Sequence, residues 1–185
     1  AQPLVSSGNY AGGDVINTPF TVKLGIDGAF NIFTTRTTDI VVDVLGYFSP
    51  DASDVNGAGL LFYPLGAPVR LLDSRASASA CFTPGAQFVG GIEYTQLARG
   101  ACGGQTVAAS ALAVVGNVTT VNPVGGFLTL WPSSATRPLV ATSNFTAGQT
   151  ANRHFTVGLG PDGAFKIFAL ASTDLVIDLS GYFAP

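Results

Sequence analysis

The chain carries one segment twice. Residues 4–50 align without a gap on residues 139–185, a spacing of 135 residues, and about half of the paired positions are identical. The matches include Asn9 with Asn144, Gly13 with Gly148, Asn17 with Asn152 and Phe20 with Phe155. Asp27-Gly28-Ala29-Phe30 matches Asp162-Gly163-Ala164-Phe165, and Gly46-Tyr47-Phe48 matches Gly181-Tyr182-Phe183. Solenoid repeats recur every 20 to 50 residues or so, so a period this long implies that each repeat is a domain with its own core. The chain then divides into residues 1–50, the second part of one unit, and residues 51–185, a complete unit.

Within the complete unit, short apolar runs bounded by Gly, Pro, Asn and Asp recur at the spacing of an all-β protein, and helical periodicity is missing. The expected strands are residues 68–73, 88–94, 111–121, 127–131, 140–145, 154–159, 165–170 and 175–179. These point to an antiparallel β-sandwich, immunoglobulin-like or jelly-roll-like. Pro161-Asp162-Gly163 sets a turn, because Pro fixes φ and Gly accepts positive φ; a β-hairpin is expected there, repeated at Ile26-Asp27-Gly28. Alternation along residues 174–179 puts Leu175, Ile177 and Leu179 on one strand face and Asp174, Val176 and Asp178 on the other. Gly90-Gly91, Gly103-Gly104 and Gly125-Gly126 read as turns, since none has the pattern of a phosphate-binding loop.

Composition narrows the function. Hydrophobic residues make up 47% of the chain and charged residues only 10%, against about 25% charged in an ordinary domain, so the surface must be largely Thr, Ser, Asn, Gly and backbone. Such a surface favours self-association. The net charge of −3 contains no basic run, which leaves nucleic acid without an electrostatic footprint. No apolar run approaches the roughly 18 residues needed to span a bilayer, so no membrane insertion is expected. Methionine is absent and the chain opens Ala1-Gln2-Pro3, which leads us to expect a processed or excised chain. Cys81 and Cys102 are the two cysteines. Set in a Gly/Ala/Ser-rich segment they read as an extracellular disulfide, because one histidine and two cysteines cannot complete the usual zinc set.

Several residues could carry chemistry. Asp174 and Asp178, like Asp39 and Asp43, share a strand face and could serve glycoside hydrolysis or calcium. At the usual rise, however, they stand about 13 Å apart, too far to flank one bond. Arg70, Asp73 and Arg75 are the natural partners of these carboxylates, so structural ion pairs are expected among Arg70, Asp73, Arg75, Asp174 and Asp178. If the Asp178 pair is buried, Asp178→Ala should cost about 3 kcal/mol. His154 faces Pro19 in the other copy and Arg153 faces Thr18; the unit therefore requires neither, and no nucleophile can be matched to a base. No enzyme activity, cofactor or metal is expected. Tyr94, Phe127 and Trp131 could form a sugar platform, although an aromatic strand face is more often core. Asn117-Val118-Thr119 and Asn144-Phe145-Thr146 match the glycosylation sequon but fall in expected strands.

One set of motifs spans most of the complete unit: Pro68-Val69-Arg70-Leu71-Leu72-Asp73-Ser74-Arg75, Cys81 and Cys102, and Val114-Val115-Gly116-Asn117-Val118-Thr119. It continues with Gly126-Phe127-Leu128-Thr129-Leu130-Trp131-Pro132 and Asp178-Leu179-Ser180-Gly181-Tyr182-Phe183. Together these resemble a tandem β-repeat module of very large secreted and surface proteins of soil and thermophilic bacteria. The resemblance covers about residues 67–185, and residues 4–50 match the module's second part. It implies an extracellular location and repeated copies, and it supplies no catalytic residue. Two expectations follow. The first is a structural module of a self-associating surface fibre or stalk, whose partners are copies of itself or neighbouring repeats. The alternative is a module that anchors a cell or hydrolase to polysaccharide. On either reading, residues 1–50 lack the counterparts of 70–73, 111–121 and 127–131, so their apolar face should need cover from outside the chain.

Overall fold

The computed structural model describes residues 6–49, 59–75 and 80–185. The expected boundary between units, at residues 50 and 51, lies outside the described residues. Among the described residues there are ten strands and no helix: β1 (Leu61–Asp73), β2 (Glu93–Leu97), β3 (Gly100–Cys102), β4 (Gln105–Val107), β5 (Ala113–Val121), β6 (Gly126–Pro132), β7 (Ser143–Phe145), β8 (Ala151–Gly158), β9 (Ala164–Ala169) and β10 (Asp174–Ala184). One four-stranded sheet has the order β1-β10-β5-β8, a second the order β2-β9-β6-β7, and β3-β4 forms a small ribbon. Every strand ladder is antiparallel.

The two large sheets form a sandwich because alternation gives each an apolar inner face. Leu71, Val114, Val118, Phe155, Leu175, Ile177 and Leu179 of the first sheet share one core with Leu128, Leu130, Phe165 and Ile167 of the second. The rings of Phe155 and Phe165, from opposite sheets, lie 6.3 Å apart. The alternation expected in β10 holds: Leu175, Ile177 and Leu179 are fully buried. Gly116, at the centre of β5, is fixed by the crossing. A Cβ there would stand 2.1 Å from the Asp178 carbonyl oxygen, beside the irregularity where β10 shifts register between Leu179 and Gly181.

The structure corrects several local expectations. Pro161-Asp162-Gly163 is a turn, with Gly163 N–H donating to the Gly160 carbonyl at 2.9 Å, but it is not a hairpin. It joins β8, which pairs with β5 in one sheet, to β9, which pairs with β2 and β6 in the other. The turn chemistry was readable; the sheet change was not, because Leu159 N–H instead donates to the Leu112 carbonyl at 2.8 Å and holds β8 to its own sheet. The strand expected at 88–94 begins only at Glu93, and Phe88 makes an isolated bridge to Thr173. The β3-β4 ribbon was not anticipated, although the Gly103-Gly104 turn at its tip was. Residues 6–49 form no strand, where about four were expected, because the ladders their counterparts use come from 61–132.

Candidate functional site

A row of polar side chains crosses the outer face of the first sheet. The ladders align Arg70, Asp178, Asn117 and His154 in one row across β1, β10, β5 and β8. Arg70 donates to both carboxylate oxygens of Asp178, Nε to Oδ1 at 2.9 Å and Nη2 to Oδ2 at 3.2 Å, and reaches Asp73 at 3.4 Å. Asp73 is fully buried and is also bound by Arg75, through Nε at 2.8 Å and through the backbone N–H at 3.1 Å. The Arg75 hydrogen bond holds the Asp73 carboxyl below its ordinary value, against the burial that pushes the other way. The same contact raises Arg75, and the Asp178 hydrogen bond raises Arg70.

Asp174 stands apart from the other expected ion-pair residues. It accepts from the Ser74 hydroxyl at 2.9 Å and makes none of the ion pairs found among the described residues, because Asp73 already holds Arg75, two residues along the chain. The Arg70–Asp178 pair is open to water, at 41% and 32% side-chain exposure. Such a pair contributes at most about 1 kcal/mol, so the larger cost anticipated for a buried pair does not apply. The arrangement clamps β1 to β10. Among the described residues no cluster of three His, Cys, Asp or Glu side chains could hold a metal ion.

Cys81 and Cys102 are joined in a disulfide, with Cα atoms 5.6 Å apart and a sequence separation of 21. It ties the segment after β1 to the β3-β4 ribbon. The structure does not bring the aromatic trio together on one exposed face. Trp131 is only 2% exposed and donates through Nε1 to the Ala135 carbonyl at 3.1 Å. Residues 133–142 fold over the outer face of the second sheet: the Thr129 hydroxyl donates to the Val140 carbonyl at 2.7 Å, and Leu130 N–H donates to the Thr142 hydroxyl at 2.9 Å. Phe127 packs on Phe168 and Tyr94 on Phe88. The three rings therefore face different neighbours, which strand alternation could not reveal because it says nothing of where residues 133–142 fold. Asn117 and Asn144 both lie within strands, β5 and β7.

The largest chemical anomaly lies in residues 6–49. Their apolar side chains are exposed while the same residue types in the other copy are buried: Phe20 is 49% exposed against 2% for Phe155, and Ile32 54% against 0% for Ile167. Val44, at 80%, corresponds to Leu179 at 0%. Local conformation is nonetheless shared. Gly25 N–H donates to the Ala29 carbonyl at 2.8 Å, as Gly160 N–H does to that of Ala164 at 2.8 Å. Gly28 and Gly163 have φ of 74° and 77°. Asp14 N–H donates to the Ala11 carbonyl at 3.2 Å, as Gln149 N–H does to that of Thr146 at 3.1 Å. The Phe20 and Phe30 rings lie 5.8 Å apart, close to the spacing of Phe155 and Phe165. Turns need only neighbouring residues, so they form; strands need partners from elsewhere, so they do not. No family model matches this chain, and no curated protein matches its sequence.

Proposed function

We propose that the chain is an extracellular structural module, a segment of a surface fibre or stalk built from tandem β-sandwich units joined by strand pairing. The observation that carries this reading is a self-contained sandwich preceded in the sequence by a second, uncovered copy of its own C-terminal half. An exposed apolar face of this extent is a liability in an isolated monomer and an asset in an assembly. Three features support the reading. The surface is poor in charge. The disulfide suits an oxidising compartment. The polar groups of the unit are spent on one another: Arg70, Asp73, Arg75 and Asp178 form a clamp between strands rather than a site open to a ligand.

The test is electron microscopy of the native material. Filaments or stalks with a subunit spacing near one domain, or near one and a half, are expected. Monodisperse single particles would overturn the proposal, and so would retention on a polysaccharide column with no assembly, which would favour the anchoring alternative.

A further inference from the structure

The structural reading leaves open what covers residues 6–49. We propose that their occupant is a further first half-unit, a polypeptide with the residue pattern of 59–132, lying ahead of residue 6 in the same chain. This inference rests on the structural reading and adds the partner's identity and its register.

The other copy specifies the partner. Phe155, the counterpart of Phe20, sits opposite Gly116 in the ladder. Ile167, the counterpart of Ile32, sits between Tyr94 and Leu130. Asp178, the counterpart of Asp43, sits between Arg70 and Asn117. All of these partners lie in 61–132, so a segment of that pattern offers residues 6–49 a complementary side chain or a fitted gap at each of these positions. Residues 6–49 already hold two turns and the aromatic pair of the folded copy, so docking would start from local structure that is in place. The one proline introduced, Pro19 in place of His154, falls in the counterpart of β8, the outermost strand of its sheet, where a missing N–H is tolerated.

Counting argues against residues 1–185 of a second copy as the occupant. Each copy has two segments of second-half pattern, 4–50 and 139–185, but a single first half. However copies exchange their halves, one second half per chain stays uncovered. Connectivity favours the same chain: in the folded unit only residues 133–142 separate β6 from β7, and an equivalent link would run directly into Gly8, the counterpart of Ser143.

The test extends the full chain at its N-terminus with a second copy of residues 51–138 in place of residues 1–3, and follows amide hydrogen exchange by mass spectrometry. Peptides covering 20–24, 30–33 and 40–44 should slow by roughly 100-fold or more, towards the rates of 155–159, 165–168 and 175–179. A companion variant places Gly116→Val in the added copy alone. It should abolish that protection and leave 155–179 slow, since the clash at Gly116 is set by the register. Unchanged fast exchange in the extended chain would overturn the proposal, as would protection that survives Gly116→Val. Protection of 6–49 in the unextended chain at micromolar concentration would overturn it too, because a second copy would then be the occupant. Failure here alongside native filaments would leave the structural reading standing; protection here without filaments would remove the fibre and keep the pairing.

Discussion

Gly116→Ala probes how closely β5 and β10 approach. The added Cβ would stand 2.1 Å from the Asp178 carbonyl oxygen and 3.1 Å from the Leu179 Cα. Both are backbone atoms, so no side chain can swing away, and β10 must retreat by about 1 Å to restore an ordinary contact. Overpacking of this kind costs about 1–3 kcal/mol. The retreat also weakens one or two ladder hydrogen bonds at about 1 kcal/mol each. The alanine restricts the unfolded chain and returns about 0.4–1 kcal/mol, which leaves a net loss of about 1–4.5 kcal/mol, centred near 3. Urea unfolding followed by fluorescence of Trp131, the single tryptophan, reports on this sandwich. The midpoint should fall by about 1 M or more at an unchanged slope. Gly12→Ala, where nothing lies within 4 Å, is the control and should stay within about 0.5 kcal/mol. A Gly116→Ala midpoint equal to that of the control would refute the argument that the close approach fixes this glycine.

Other perturbations separate the remaining contributions. Asp73→Ala removes a buried acceptor from Arg75 and Arg70; because both arginines can turn to water, about 2 kcal/mol should be lost in urea melts rather than the full 3–5 of a sealed pair. Asp73 titrates below its ordinary 3.8 when folded, so the unfolded state takes up the proton first. Its stabilisation is complete above that value and is lost as pH falls through the lower, folded one, and acid unfolding of Asp73→Ala should be correspondingly shallower. Asp178→Ala, which opens an already hydrated pair, should cost at most about 1 kcal/mol in the same assay. Reducing the Cys81–Cys102 bond should lower stability by about 3 kcal/mol, as its loop length implies; an unchanged melt in reductant would show that the loop is already ordered when unfolded.

The strands of the sandwich were legible where the pattern is local. Residues 111–121 and 127–131 read correctly because their apolar runs are long and end in Gly, Pro or Asn, and Leu175, Ile177 and Leu179 gave away the inner face of β10. What failed depends on distant residues. Nothing near Pro161 shows that the chain crosses from one sheet to the other there, and nothing near Trp131 shows that residues 133–142 will cover it with backbone hydrogen bonds. The clamp was half visible: Arg70 and Asp178 were paired from charge and face, whereas Asp174 turned to Ser74 because the nearest arginine already had a carboxylate two residues away. The uncovered face of residues 6–49 was the most legible of all, since it follows from comparing two halves of one sequence and needs no geometry.

Both cysteines lie in the first half of the unit, and residues 139–185 contain none. Oxidation therefore staples the first half to itself, and beyond the backbone link through residues 133–142 its grip on the second half is non-covalent. In an array of such units, neighbouring second halves that share about half their residues compete for each first half, as closely related repeats do when they misassemble. A mispaired unit would never be sealed by a disulfide. Errors made during assembly of such an array would stay reversible even where oxidation has locked the first half, and stretching the array would separate halves that can re-form without any redox chemistry.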